Sequence, residues 1–116
     1  MQLISTKEAT LIEVETSEKL DALEAELAKQ DLLSLHAPSL EALASTTPFA
    51  CDVMPFEHWL QFIFLPKMRY MLDNNIPLPK AMAIAPMAQH VWASEPKLQN
   101  LISILTDLDA LLSQTQ

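Results

Sequence analysis

The sequence predicts an all-α protein: a four-helix antiparallel bundle with a proline-kinked, largely buried second helix. Apolar side chains recur every three or four residues along most of the chain, and no segment shows the strict alternation of a strand. Half of the 116 residues are hydrophobic, which suits one core and is too little for two. We therefore predict a single helical-bundle domain over residues 1–116, with helices at about 6–33, 55–74, 80–93 and 95–113.

The first predicted helix is amphipathic. Ser5 and Glu8 have the spacing of a capping box, which would start the helix near Thr6. An apolar stripe follows at spacings of three and four, formed by Ala9, Ile12, Thr16, Leu20, Leu23 and Leu27. The opposite face is acidic, with Glu13, Glu15, Glu18, Asp21 and Glu24. Such a run usually means a solvated face, and an acidic recognition surface is the less favoured alternative.

The second predicted helix is the centre of the fold, because it carries large apolar side chains on nearly all sides. Burial of Trp59 is expected from this pattern. Pro66 lacks an N–H and its ring crowds the preceding turn, so the helix should kink or break near Leu65. Before the helix, Phe49 should enter the core and Asp52 should lie near the positive helix end, where a carboxylate is favoured.

The remaining helices are marked by small residues and prolines. Asn74 and Asn75 should supply turn conformations that glycine otherwise provides. The segment 80–93 alternates alanine with larger apolar residues, and Pro86 should divide it into two pieces. The last helix is expected to start with Ser94 as N-cap and to bury a stripe formed by Leu98, Leu101, Ile102, Leu105, Leu108 and Leu112.

Composition excludes several classes of function. Glycine is absent, so phosphate-binding loops, dinucleotide-binding fingerprints and the nucleophile elbow of hydrolases, which need it, are excluded. The net charge of −8 opposes binding to nucleic acid or an anionic membrane. A single cysteine and the lack of a signal-peptide pattern favour a cytoplasmic location.

Catalytic, cofactor-binding and metal-binding residues are not predicted. His36, His58 and His90 lie in separate segments, and none has the spacing of a helical zinc site. Glu57 and His58 are adjacent, so on a helix their side chains point about 100° apart. An acid–base pair is therefore not expected there.

A resemblance to a known family rests on a set of residues spread over much of the chain: Pro48-Phe49, Asp52, Met54, Trp59-Leu60-Gln61, Pro66, Met68, Leu72, Leu78-Pro79 and Pro86. In these residues the chain resembles the YqcC-like family of small bacterial helical proteins, often labelled tRNA pseudouridine synthase C because many are encoded beside that enzyme. The resemblance implies a four-helix bundle and a link to tRNA modification. A pseudouridine synthase needs a mostly β scaffold, a basic RNA-binding surface and a glycine-containing motif, so we interpret the label as describing a neighbouring protein.

Two functions remain open. The first is a non-catalytic binding or adaptor module for another protein, such as a tRNA-modifying enzyme, without direct nucleic-acid or membrane binding. Its expected interaction surface combines apolar and basic side chains around the kink: Phe62, Leu65, Lys67, Arg69 and Lys80. The second is a small-molecule or lipid-binding bundle, in which methionine- and aromatic-rich walls leave an apolar cavity. An exposed patch near Phe62 and Lys67 would favour the first, and a deep pocket the second.

Overall fold

A computed structural model describes the backbone of residues 3–113. All regular secondary structure in this range is helical, and no strand occurs in it. Side chains are described from residue 11 onward. The α-helices are α1 (Leu3–Lys29), α2 (Leu40–Leu43), α3 (Phe56–Trp59), α4 (Leu65–Asp73), α5 (Ala85–Val91) and α6 (Gln99–Ser113). A π-helical segment, Leu60–Phe64, joins α3 to α4, and single 3₁₀ turns occupy Pro48–Ala50 and Pro96–Leu98. The all-α prediction is confirmed.

We call residues 56–73, formed by α3, the π segment and α4, the central helix. It runs antiparallel to α1, because Arg69 bonds to Asp21 and Glu24 whereas Gln61 reaches Ser34 beyond the end of α1. The Gln61 amide accepts a bond from the Ser34 N–H at 2.8 Å and donates one to the Ser34 carbonyl at 3.0 Å. This reciprocal pair ties the start of the long connection after α1 to the central helix.

The core lies between α1, the central helix and α6. The predicted stripe of α1 is buried from Thr16 onward, and the predicted stripe of α6 is buried along its whole length. Fully enclosed core side chains include Leu20, Leu23, Leu27, Leu60, Leu101, Leu105, Leu108 and Leu112. Because these leucines repeat at helical spacing, the sequence pattern was sufficient to identify both packing faces.

The central helix continues through Pro66 without a break, and the irregularity next to Leu65 is the π segment Leu60–Phe64. The Leu65 N–H bonds to the Leu60 carbonyl five residues back, and Pro66 then occupies the first turn of α4. Proline is tolerated in a first turn because the missing N–H has no intrahelical partner there. The π segment thus restarts the hydrogen-bond ladder immediately before the proline, and the backbone stays helical from residue 56 to 73.

Two helices end at a residue in the left-handed conformation, a position that glycine usually occupies but that another residue fills here. Asp31 has φ 61° and Asn75 has φ 56°. After Asp31, the Leu32 N–H bonds to the Leu27 carbonyl, and after Asn75 the Ile76 N–H bonds to the Met71 carbonyl. These six-to-one bonds form Schellman-type helix ends. The expectation for Asn74 and Asn75 is met at Asn75, whereas α1 stops at Lys29 rather than near residue 33 because Asp31 closes it.

The predicted helix boundaries were wrong at other points. The helix α1 already includes Leu3, so Ser5 lies inside it and is not its cap; the side chains of Ser5 and Glu8 lie outside the described residues. Ser94 is likewise not the cap of the last helical segment, where Glu95 precedes Pro96. The short helix α2 is capped by Ser39, whose hydroxyl accepts a bond from the Ala42 N–H.

The third predicted helix is much shorter than expected. Residues 80–84 are not helical, and α5 begins at Ala85 with Pro86 in its first turn. Pro86 therefore starts a helix instead of dividing one, since its ring cannot follow a preceding helical turn without a clash. With α5 reduced to Ala85–Val91, residues 3–113 contain α1, the central helix and α6 with shorter helical segments between them, and the exact count of four bundle helices is not confirmed.

Candidate protein-interaction site

The predicted basic cluster does not form one surface. Arg69 faces α1, where its guanidinium donates hydrogen bonds to Glu24 at 2.6 Å and to Asp21 at 2.9 Å. The hydrogen bond to Glu24, with a further contribution from Asp21, raises the pKa of Arg69 above its ordinary value. Arg69 is therefore paired within the chain, and it is not the free cation that the predicted interaction surface required.

The two apolar residues predicted beside this cluster are placed differently from each other. Leu65 is 3% exposed and belongs to the core, so it cannot anchor a partner. Phe62 is partly buried, and its ring meets that of His58 edge-on at a centroid distance of 6.2 Å. Gln61 and Arg69, each four residues from Leu65, bond to Ser34 and to α1, so this side of the helix is covered by the chain itself.

Lys67 lies on another side of the central helix, at the edge of an apolar groove that we call the Lys67 groove. The groove has a volume of about 320 Å³ and is open to solvent. One wall comes from the central helix and the other from the segment before α5; together they comprise Trp59, Ile63, Phe64, Lys67, Met68, Pro79, Met82 and Ile84. Lys67 is exposed, and Lys80 follows Pro79 directly and is exposed as well.

An aromatic cluster supports the central-helix wall. The Trp59 ring stacks on Phe56 at 5.9 Å and on Phe64 at 5.6 Å, and it meets Phe49 edge-on at 5.0 Å. Phe56 also contacts Trp92 at 5.2 Å. Trp59 is partly exposed rather than fully buried, which corrects the expectation for this side chain. Its three ring contacts nonetheless hold it in one orientation at the groove.

Phe49 reaches the aromatic cluster from a 3₁₀ turn in an unusual backbone conformation. It has φ 58° and Ala50 follows with φ 49°, a region costly for residues other than glycine. The strained turn directs Phe49 onto Phe56 and Trp59, and the expectation that Phe49 packs against the core is met.

Asp52 does not cap the central helix, contrary to expectation. Its carboxylate accepts a 2.8 Å hydrogen bond from the Ser45 hydroxyl, which closes the loop around Phe49, and the cap position before α3 is Pro55. The expected role fails because the intervening turn points the Asp52 side chain back along its own loop.

The second wall of the groove is held by a residue that the sequence patterns did not identify. Asp109 in α6 accepts hydrogen bonds from the Ile84 N–H at 3.1 Å and the Ala85 N–H at 2.8 Å. Free N–H groups at a helix start favour a carboxylate, so Asp109 caps α5 across the tertiary structure. A cap supplied 24 residues away leaves no local sequence signal.

The three histidines do not converge with other ligands. Among the residues described, no group of three or more histidine, cysteine or acidic side chains is placed to hold a metal ion. Within the same range, the search for helices long and apolar enough to cross a membrane finds none.

The family described as "DUF446: tRNA pseudouridine synthase C" matches residues 15–111, which is most of the chain. The chain belongs to this family. The chain is 36% identical over 96 residues to the uncharacterized protein YqcC of Escherichia coli strain K12. This match covers 82% of this chain and 88% of YqcC. The resemblance to the YqcC-like family is thereby confirmed.

Two further likenesses concern whole proteins of this family. An uncharacterised protein of Haemophilus influenzae is 30% identical over 102 residues, covering 88% of this chain and 96% of that protein. The solution NMR structure of YqcC from E. coli superposes with a TM-score of 0.81 at 32% identity, covering 90% of this chain and 91% of that one. The solved structure supports the all-helical fold independently.

The enzyme name is attached to a different kind of match. A tRNA pseudouridine synthase C of Pectobacterium carotovorum is 38% identical to this chain over 60 residues. The match covers 52% of this chain and 16% of the enzyme. Most of the enzyme's chain therefore lies outside the similar segment, whereas the two uncharacterised relatives are matched nearly end to end.

Proposed function

We propose that this protein is a non-catalytic cytosolic binding module that associates with a tRNA pseudouridine synthase. One observation carries the proposal: a segment similar to this chain forms a small part, 16%, of a polypeptide named tRNA pseudouridine synthase C. In that polypeptide the similar segment is covalently linked to the rest of the enzyme, which keeps the two at high effective concentration. On a separate polypeptide, a binding surface would have to bring them together.

The chemistry of the chain supports an accessory role. The net charge is −8, so the chain by itself repels the tRNA backbone, and a pseudouridine synthase must bind that backbone. Two of its seven basic residues, Lys19 and Arg69, are already paired with carboxylates of the same chain. The enzyme, and not this module, would supply the RNA-binding surface and the catalytic group.

Titration of the isolated protein into purified tRNA pseudouridine synthase C from the same cell tests the proposal. We expect saturable binding by calorimetry and, in a parallel assay, no uridine isomerisation by the module alone. Isomerisation by the module would overturn its non-catalytic role. Failure of the two proteins to bind, with both folded, would overturn the association.

The alternative, a small-molecule or lipid-binding bundle, has weaker support. The core between α1, the central helix and α6 is filled by leucines with no exposed surface, and the Lys67 groove opens to solvent. Small-molecule sites usually enclose most of the ligand. An open groove with a lysine at its edge fits a protein partner better.

A further inference from the structure

We propose that the Lys67 groove is the docking site, and that it receives an apolar segment flanked by carboxylates on the catalytic part of the synthase. This docking site rests on the proposed function, and it specifies which surface binds the synthase and what kind of segment binds there. The shape and the charge of the groove support it.

The apolar part of the groove offers both rigid and adaptable contacts. Trp59 is fixed by three ring contacts at 5.0–5.9 Å and remains partly exposed. Met82 on the opposite wall is also partly exposed, and methionine adapts its shape to a partner at low cost. Large aromatic side chains flanked by adaptable ones are typical of the residues that carry binding energy at protein interfaces.

The charge around the groove differs from that of the whole molecule. The chain has 15 acidic residues, yet none of those whose side chains are described lines the groove. Lys67 and Lys80 form no ion pair with any residue from 11 to 113, whereas Lys19 and Arg69 pair with Asp107 and with Asp21 and Glu24. The cations beside the groove thus have no acidic partner in the described part of this chain. Carboxylates on the partner would complement them, and complementary charge mainly sets orientation and association rate.

Two other grooves at the surface lack this combination. One is lined by Glu57, Glu95 and Lys97, where opposite charges are mixed around Trp92. Another lies between α1 and α4, where Arg69 is already paired and Glu13 and Asp73 line the edge. An acidic segment would be repelled by the carboxylates at either site. The Lys67 groove therefore fits the occupant best.

Matched single variants test the inference against the same purified synthase. Lys67→Glu reverses the charge beside the groove, and Lys97→Glu makes the same change at an exposed lysine outside it. Met82→Ser removes an apolar contact in the groove, and Leu40→Ser does so at a side chain that is 85% exposed elsewhere. We expect Lys67→Glu and Met82→Ser each to weaken binding about tenfold or more. The two controls should stay within about twofold of the wild type, and Lys67→Glu should leave the Tm unchanged.

The outcomes distinguish a failure of the docking site from a failure of the proposed association. If the wild type binds and both groove variants bind equally well, the groove is not the docking site although the proposed association stands. If Lys97→Glu or Leu40→Ser weakens binding as much as the groove variants, the site is likewise wrong. If the wild type itself does not bind, the association fails and the docking inference fails with it. A fall in the wild-type association rate with added salt, absent in Lys67→Glu, supports the electrostatic part.

Discussion

Two faces of the central helix carry cations that are only two positions apart in the sequence. One cation is paired within the chain, and the other is exposed. Arg69 faces α1 and is bound by Asp21 and Glu24. Lys67 is exposed at an apolar groove without an acidic lining residue. Residues two apart on a helix point about 200° away from each other, so closeness in sequence separates them in space. A basic cluster defined along the sequence is therefore not a basic surface.

The difference also separates structural residues from those available for binding. The face toward α1 and α6 contains Leu60 and Leu65, both buried, and it belongs to the core shared by these helices. The face toward the groove leaves Ile63 partly exposed and Lys67 exposed. Substitutions on the first face should change stability, and substitutions on the second should change binding.

The largest expected effect comes from the buried face. Leu60→Ala should lower the free energy of unfolding by about 2–5 kcal/mol, because it removes a fully enclosed side chain and leaves a cavity. Tyr70→Ala on the same helix, where the ring is 61% exposed, should cost less than about 1 kcal/mol. Urea denaturation measures both. Similar losses for the two variants would contradict the division of the helix into a core face and a solvent face.

A smaller effect is expected at the second wall of the groove. Asp109→Ala should cost about 1–2 kcal/mol, because the Ile84 and Ala85 N–H groups lose their carboxylate acceptor. Amide hydrogen exchange should rise most at those two residues. Asp107 lies in the same helix as Asp109, and its exposed carboxylate pairs with Lys19 of α1. Asp107→Ala should therefore have little effect on stability. Unchanged exchange at Ile84 and Ala85 in Asp109→Ala would show that Asp109 does not hold this wall.

The smallest effect is expected at the two cations. Arg69→Gln should destabilise by at most about 1 kcal/mol, because the ion pairs with Asp21 and Glu24 are partly exposed and screened by solvent. High salt should reduce the difference from the wild type. Lys67→Gln should leave stability unchanged. A larger loss for Lys67→Gln than for Arg69→Gln would reverse the roles assigned to the two faces.

Helical periodicity predicted the parts of the fold that depend on local pattern. The stripes Leu20 to Leu27 and Leu101 to Leu112 become the core because leucines at spacings of three and four must share one face. Asn75 takes the left-handed turn conformation expected of it in the absence of glycine. These features need only information from neighbouring residues.

The candidate site depended on information that local pattern does not hold. The partners of Arg69 lie 45 and 48 residues earlier, and Asp109 caps a helix 24 residues before it. Leu65 is buried on the side of the helix where Gln61 and Arg69 bond within the chain, and the projection of one helix does not show which of its sides another element covers. Of the five predicted interaction residues, Lys67 and Lys80 remain exposed beside the groove, and its apolar contacts come from Trp59, Ile63 and Met82 instead.

The most direct test of the central claim is an NMR titration of isotope-labelled protein with unlabelled tRNA pseudouridine synthase C. The proposed docking site predicts that amide signals of Ile63, Lys67 and Met82 shift or broaden first, while those of Glu18 and Ala25, which are exposed on α1, stay unchanged. Side-chain methyl signals of Met68 and Met82 provide a second readout in the same groove. Unperturbed spectra at saturating enzyme, or changes confined to the acidic face of α1, would contradict it.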